Sequence, residues 1–132
     1  MRELIKRYEN CFVCGDKNQI GLRVDFFYEE GRAKAEFTPS LNHEGYADTL
    51  HGGLIAALLD EVMIKSILAE GIISLTTRLE VRFKRKARVG EKLFLEGWVE
   101  KKRGRIIFTK GRILVQNEDI IAEAEGAYFR ER

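Results

Sequence analysis

The chain has 132 residues, 45% of them hydrophobic and 33% charged, with a formal net charge of +2 at pH 7. That length accommodates one domain whose core needs no disulfide or metal staple, and the composition excludes a disordered chain. The near balance of charge argues against a nucleic-acid binder.

Residues 1–11, MRELIKRYENC, carry charge throughout and hold no apolar signal-peptide core, which predicts a cytoplasmic protein. Within them, residues 2–9 read as a short amphipathic helix with Leu4, Ile5 and Tyr8 on one side. Cys11 and Cys14 follow in CFVCGDKN. There is no second CxxC, His43 and His51 are the only histidines, and the pair runs into a turn rather than opening a helix. The cysteines therefore read as structural, with no metal and no redox role expected. Residues 1–19 form a short segment before the first strand.

From Ile20, IGLRVDFFYEE and RAKAEFTP read as a hairpin turning at Glu30 and Gly31. A turn-rich loop, PSLNHEGYAD, leads to TLHGGLIAALLDE. Leu54 to Glu70 is the one long helix, with Gly71 as its stop; apolar residues nearly all round it predict burial on every side. Within it the most apolar segment, Leu54 to Ala69, holds Asp60, Glu61 and Lys65 and falls short of the roughly 20 residues that cross a bilayer. In LTTRLEVRF, Leu75, Thr77, Leu79, Val81 and Phe83 alternate with Thr76, Arg78, Glu80 and Arg82, which predicts a strand with one buried face. KLFLEGWVEKK and RIIFTKGRILVQ form a second hairpin about Arg103 and Gly104, and DIIAEAEGAYFR is the last strand. Hairpin, one buried helix and four strands make an α+β fold, a curved antiparallel sheet wrapped around one central helix in a single domain spanning 1–132.

The helix entrance carries the chemistry. Unpaired amides at a helix N-terminus favour an oxygen gaining negative charge, and Gly52 and Gly53 have no Cβ to keep a substrate carbonyl away from them. Such a place is suited to be an oxyanion hole for acyl transfer. Asp60, set in an apolar wall, is a candidate base or nucleophile; the alternative is a carboxylate paired with an Arg or with backbone donors. Eight residues of helix put the Gly52 amide and Asp60 about 12 Å apart along the axis. One carbonyl cannot meet both, so a shared site requires the carboxylate of a second, antiparallel copy, and hence a homodimer.

These residues resemble the hotdog-fold acyl-CoA thioesterases, in the PaaI-like branch of the 4-hydroxybenzoyl-CoA thioesterase superfamily. The resemblance rests on HEGYADTLHGGLIAALLDEVM, TTRLEVRFKRKARVGE and CFVCGDKNQIGLRV. It implies a long helix wrapped by an antiparallel sheet, dimers often paired into homotetramers, and hydrolysis of an acyl-CoA to an acid and free CoA. No cofactor is implied beyond the coenzyme A of the substrate. The Gly52 N–H would polarise the thioester carbonyl and Asp60 would act as nucleophile or general base. His51 would orient the loop or substrate, or merely satisfy the turn. Thr76 aligns with a hydroxyl residue that in some relatives positions the attacking water, and Glu61 would be a neighbouring acid at the substrate. Arg85 and Lys86 would meet the CoA phosphates, unless they only solvate a strand end. Where some relatives carry an asparagine six residues before the histidine, this chain has Gly45. A non-catalytic acyl-CoA or lipid-binding protein is the alternative function; thioester hydration or dehydration would want a histidine placed differently.

Overall fold

The computed structural model describes residues 2–131. Seven strands form one antiparallel sheet: β1 (Glu3–Leu4), β2 (Phe27–Glu29), β3 (Arg32–Phe37), β4 (Ser74–Phe83), β5 (Leu93–Arg103), β6 (Ile106–Leu114) and β7 (Ile120–Arg130). Their spatial order is β1-β2-β3-β5-β6-β7-β4. The single α-helix among the described residues, α1 (Gly52–Leu68), crosses the inner face of the sheet. A one-turn 3-10 helix, Leu41–His43, lies in the loop that feeds it.

The turns fall where the residue types demand them. Glu30 and Gly31 both take positive φ (54° and 78°) between β2 and β3, and Gly104 (60°) does so between β5 and β6. The helix starts two residues earlier than the apolar pattern suggests, at Gly52, and ends at Leu68, with Gly71 at φ 82° turning the chain away. It lies close to the sheet because β5 passes beneath it at Gly97, where a Cβ would stand 2.5 Å from the Val62 carbonyl oxygen.

Burial of α1 is one-sided. Ile55, Leu58, Leu59, Val62, Met63 and Ile67 pack into the core, whereas Ala56, Ala57, Asp60 and Ile64 are half-buried and Gly52 and Gly53 are exposed. The all-round burial expected from composition is thus not achieved within one chain. The same holds for edge strand β4, where Leu75 and Phe83 are 57% and 56% exposed.

Strand β4 also departs from simple alternation. Its pairing with β7 runs Thr76 opposite Tyr128 and then Arg78 opposite Ala127, so Thr77 is an extra, bulged residue. Beyond the bulge Leu79, Val81 and Phe83 lie opposite Gly126, Ala124 and Ala122. Ser74 and Thr76 therefore share the inner face with Leu79, Val81 and Phe83, and Leu75 points away, contrary to the period-two reading of the sequence.

The amino-terminal segment is extended, not helical. Glu3 and Leu4 pair with Tyr28 and Phe27, and the Ile5 N–H donates to Phe26 O at 2.8 Å. Burying Ile5, at 4% exposure, in the sheet edge outweighs the local helical pattern. The first strand thus lies inside residues 1–19. Residues 20–26 do not continue β2; Leu22 and Val24 donate instead to the carbonyls of Phe12 and Val13, beside the cysteine turn.

Candidate active site

Asp60 stands midway along α1, half-buried, with its carboxylate held from the sheet side. The Thr76 hydroxyl donates to Oδ1 at 2.9 Å and the Tyr128 phenol donates to the same oxygen at 2.8 Å. The phenol also lies 3.2 Å from the Asp60 carbonyl oxygen. Oδ2 has no hydrogen bond, and Asp60 no ion pair, among the described residues. The carboxylate is thus not one half of a structural Arg or Lys pair. Two neutral hydroxyls fix one oxygen and leave the other free.

The bulge at Thr77 makes this possible, because it turns Thr76 towards the helix. Tyr128 comes from the carboxyl-terminal end of β7 and is fully buried. Burial first, and the charge of Asp60 second, push its phenol well above the ordinary tyrosine range. It stays a donor. Sequence reasoning missed Tyr128. Its place opposite Thr76 in the β4–β7 ladder is the signal that identifies it, and that register is hidden by the bulge.

The second group of residues lies at the start of α1. His51 is the N-cap, and its Nδ1 accepts the Gly53 N–H at 2.8 Å. A neutral imidazole thus performs the work usually given to Ser or Asp at that position. Gly53 is glycine for the sake of this contact: a Cβ there would lie 2.9 Å from His51 Cε1 and 3.0 Å from Nδ1. The Gly53 amide is therefore already occupied, contrary to its expected place at the substrate. The Gly52 amide has no acceptor among the described residues. Gly45 packs under His51, where a Cβ would sit 3.2 Å from its Cα. A cleft of about 550 Å³ lies beside His51, between Phe12 and Ile20 on one side and Asn42 and His43 on the other.

Asp60 and Gly52 share one helix, so their eight-residue spacing amounts to about 12 Å of axial rise. The structure brings together Asp60, Thr76 and Tyr128, and separately His51, Gly52 and Gly53. It does not bring the two sets together within one chain.

Glu61 faces elsewhere. Its Oε2 accepts the Cys11 thiol at 3.5 Å and lies 3.9 Å from Lys65 Nζ. Lys65 is 2% exposed and donates to the Lys6 carbonyl oxygen. In the cysteine turn the Cys14 N–H donates to Cys11 Sγ at 3.4 Å. Burial pushes the Cys14 thiol up to about 11. The donor atoms of Cys11, Cys14 and Glu61 all lie within 4.8 Å of one another, and the Lys65 ammonium supplies the positive charge beside them.

Of the two basic residues chosen for phosphate, Arg85 is committed to Glu91, with Nη2 to Oε2 at 2.9 Å. Its guanidinium is the main reason the Glu91 carboxyl lies below its usual range. Lys86 is exposed and forms no ion pair among the described residues. No helix of the described residues is long and apolar enough to cross a membrane.

The sequence matches the model of the thioesterase superfamily over residues 47–122. Among solved structures it is similar to a thioesterase superfamily protein with 26% identity and a TM-score of 0.87, over 92% of this chain and 60% of that one. The chain thus spans 60% of the length of that relative. It also resembles the E. coli PaaI protein from the phenylacetic acid degradation operon (20% identity, TM-score 0.78, 84% of this chain and 81% of that one). A Streptococcus mutans protein bound to acetyl CoA is similar at 17% identity and a TM-score of 0.74, over 79% and 84% of the two chains. These last two likenesses bear on the fold alone. No curated protein matches the sequence.

Proposed function

The chain belongs to the thioesterase superfamily and has its hotdog fold, and from that premise we propose that it hydrolyses an acyl-CoA to a carboxylic acid and free CoA. The observation that carries this reading is the carboxylate of Asp60, held at Oδ1 by Thr76 and Tyr128, without a cationic partner, and with Oδ2 unbonded.

The carbonyl oxygen of the thioester sits at the free Gly52 N–H of one subunit, and Asp60 of the other subunit reaches the carbonyl carbon. Two routes fit this arrangement. In one, Asp60 Oδ2 takes a proton from a water whose oxygen attacks the carbon. In the other, Oδ2 attacks directly, and water then hydrolyses the acyl-aspartyl anhydride. In both, negative charge gathers on the oxygen facing the Gly52 amide and collapse expels the CoA thiolate, which takes up a proton. His51 keeps the amide pocket in shape through its bond from Gly53. Lys86 meets the CoA phosphates, and Arg85 contributes by shaping the strand end with Glu91.

Two features support the dimer. The Gly52 and Asp60 groups are too far apart for one carbonyl, and the uncovered side of α1 adjoins β4 with its exposed, inward-facing Phe83. A two-fold partner would cover both, and a second pairing would give the tetramer common in relatives. The test is hydrolysis of a panel of short, medium, long and aromatic acyl-CoAs by the protein and by Asp60→Asn, with solution mass measured in parallel. Thiol release that falls at least 100-fold in Asp60→Asn is expected, from an assembly of two or four chains. A protein that binds acyl-CoA but releases no thiol is a binding module, and a catalytically active single chain would overturn the shared site.

A further inference from the structure

A pocket of about 220 Å³ opens between the second half of α1, the start of β4 and the amino-terminal segment. Ile64, Leu68, Ile72 and Ile73 give it apolar walls, and Glu61, Lys65 and Ser74 give it polar ones. Ser74 is only 7% exposed, and its Oγ is a buried side-chain oxygen with no hydrogen-bond partner among the described residues. Leaving a buried hydroxyl unpaired forfeits its bonds to water without replacement, and native proteins seldom do so without a reason. The missing partner is accounted for if it arrives with a ligand.

The location of the pocket says which part of a ligand that is. Ser74 and Thr76 share the inner face of β4, two residues and hence about 7 Å apart. Thr76 holds Asp60, and Ile64 lies one helical turn beyond it. An acyl group whose carbonyl is at Asp60 and which runs on for about 7 Å brings its far end to Ser74. The charges say what that end can be. Lys65 and Glu61 lie 3.9 Å apart and together carry no net charge. A carboxylate entering the pocket would meet Glu61, and an ammonium would meet Lys65. An uncharged hydroxyl can accept from one neighbour and donate to another.

We infer that this pocket is a specificity subsite for the far end of the acyl group, and that Ser74, with the Glu61–Lys65 pair, selects a short acyl chain ending in an uncharged hydroxyl. The inference rests on the thioesterase reading for its orientation, and its test separates the two. Acyl-CoA pairs of equal length, with and without a terminal hydroxyl, serve as substrates. The matching S-alkyl-CoA thioethers, which cannot be hydrolysed, are titrated by calorimetry.

The hydroxylated member of each pair should have about a tenfold advantage in kcat/KM and in thioether affinity, the worth of one well-made hydrogen bond. Ser74→Ala should reduce both advantages to within about twofold and leave the plain member unchanged. This variant removes no bond of the folded chain, so its thermal stability should match that of the parent. Equal handling of the two members by the parent protein, or a preference that survives in Ser74→Ala, would overturn the subsite. Hydrolysis without discrimination sinks the subsite alone. Discrimination between thioethers that is lost in Ser74→Ala, with no thioester hydrolysed, sinks the enzyme reading and leaves the subsite standing.

Discussion

Replacing Tyr128 by Phe removes one oxygen from a fully buried ring and leaves the packing of β7 against α1 in place. The lost contacts are the 2.8 Å bond to Asp60 Oδ1 and the longer 3.2 Å approach to the Asp60 carbonyl oxygen. A hydrogen bond to a charged acceptor contributes about 1.5–3 kcal/mol. Thr76 still donates to Oδ1, so we take the lower end of that range. Removing about 1.5 kcal/mol of that hold should lower kcat/KM by about 10-fold, and by up to about 100-fold as the freed carboxylate leaves Oδ2 out of line with the carbonyl. The assay is thioester hydrolysis, with circular dichroism as a check on the fold. A folded Tyr128→Phe with kcat/KM within twofold of the parent would refute the claim that Tyr128 positions Asp60.

Two further predictions concern the helix entrance and the basic strand end. Gly53→Ala should push the His51 ring off its cap, costing about 1 kcal/mol in thermal unfolding together with a fall in hydrolysis; Gly52→Ala, whose Cβ would rest 3.7 Å from the Phe83 ring, should keep its stability and lose activity only. Folding lowers the Glu91 carboxyl below its ordinary 4.5, with Arg85 the main cause, so the stability it contributes is present above that pH and is lost as pH falls through the lower folded value. In urea titrations Glu91→Gln should therefore be less stable than the parent by about 0.5–1 kcal/mol at pH 7, with the gap closing as pH falls below the ordinary carboxylate range.

Much of the fold could be read from the residues, because the strongest signals are local. The helix-forming run after HGG, the glycine stop at Gly71 and the hairpin turns at Glu30–Gly31 and Gly104 need no distant contact to take shape. Residues 2–9 show the opposite case. Their pattern is helical, yet Ile5 gains more by closing the sheet edge than about two unsupported turns could give. Residues 20–26 alternate like a strand but follow an irregular path, with Arg23 at φ 57°, since their partners are the carbonyls of the cysteine turn. At the site, Asp60 and Gly52 were legible because an acid and a free helix amide are anomalies in an apolar run. Tyr128 was not, since a tyrosine in a core strand is ordinary until the register places it under the carboxylate. The fate of the Gly53 amide was equally hidden, as it depends on the rotamer of His51.

The bulged residue Thr77 lets one strand keep two phases. Before it, the inward positions are the hydroxyl residues Ser74 and Thr76; after it, they are the apolar residues Leu79, Val81 and Phe83. An uninterrupted strand would tie these choices together, and a hydroxyl facing the helix at Thr76 would turn the three apolar side chains outward. With the break in phase, substitutions at Ser74 and Thr76 can retune the chemistry while the packing code of the far half stays as it is. Removing the extra residue would recouple them, so that one deletion in an exposed edge strand would erase either the site or the core.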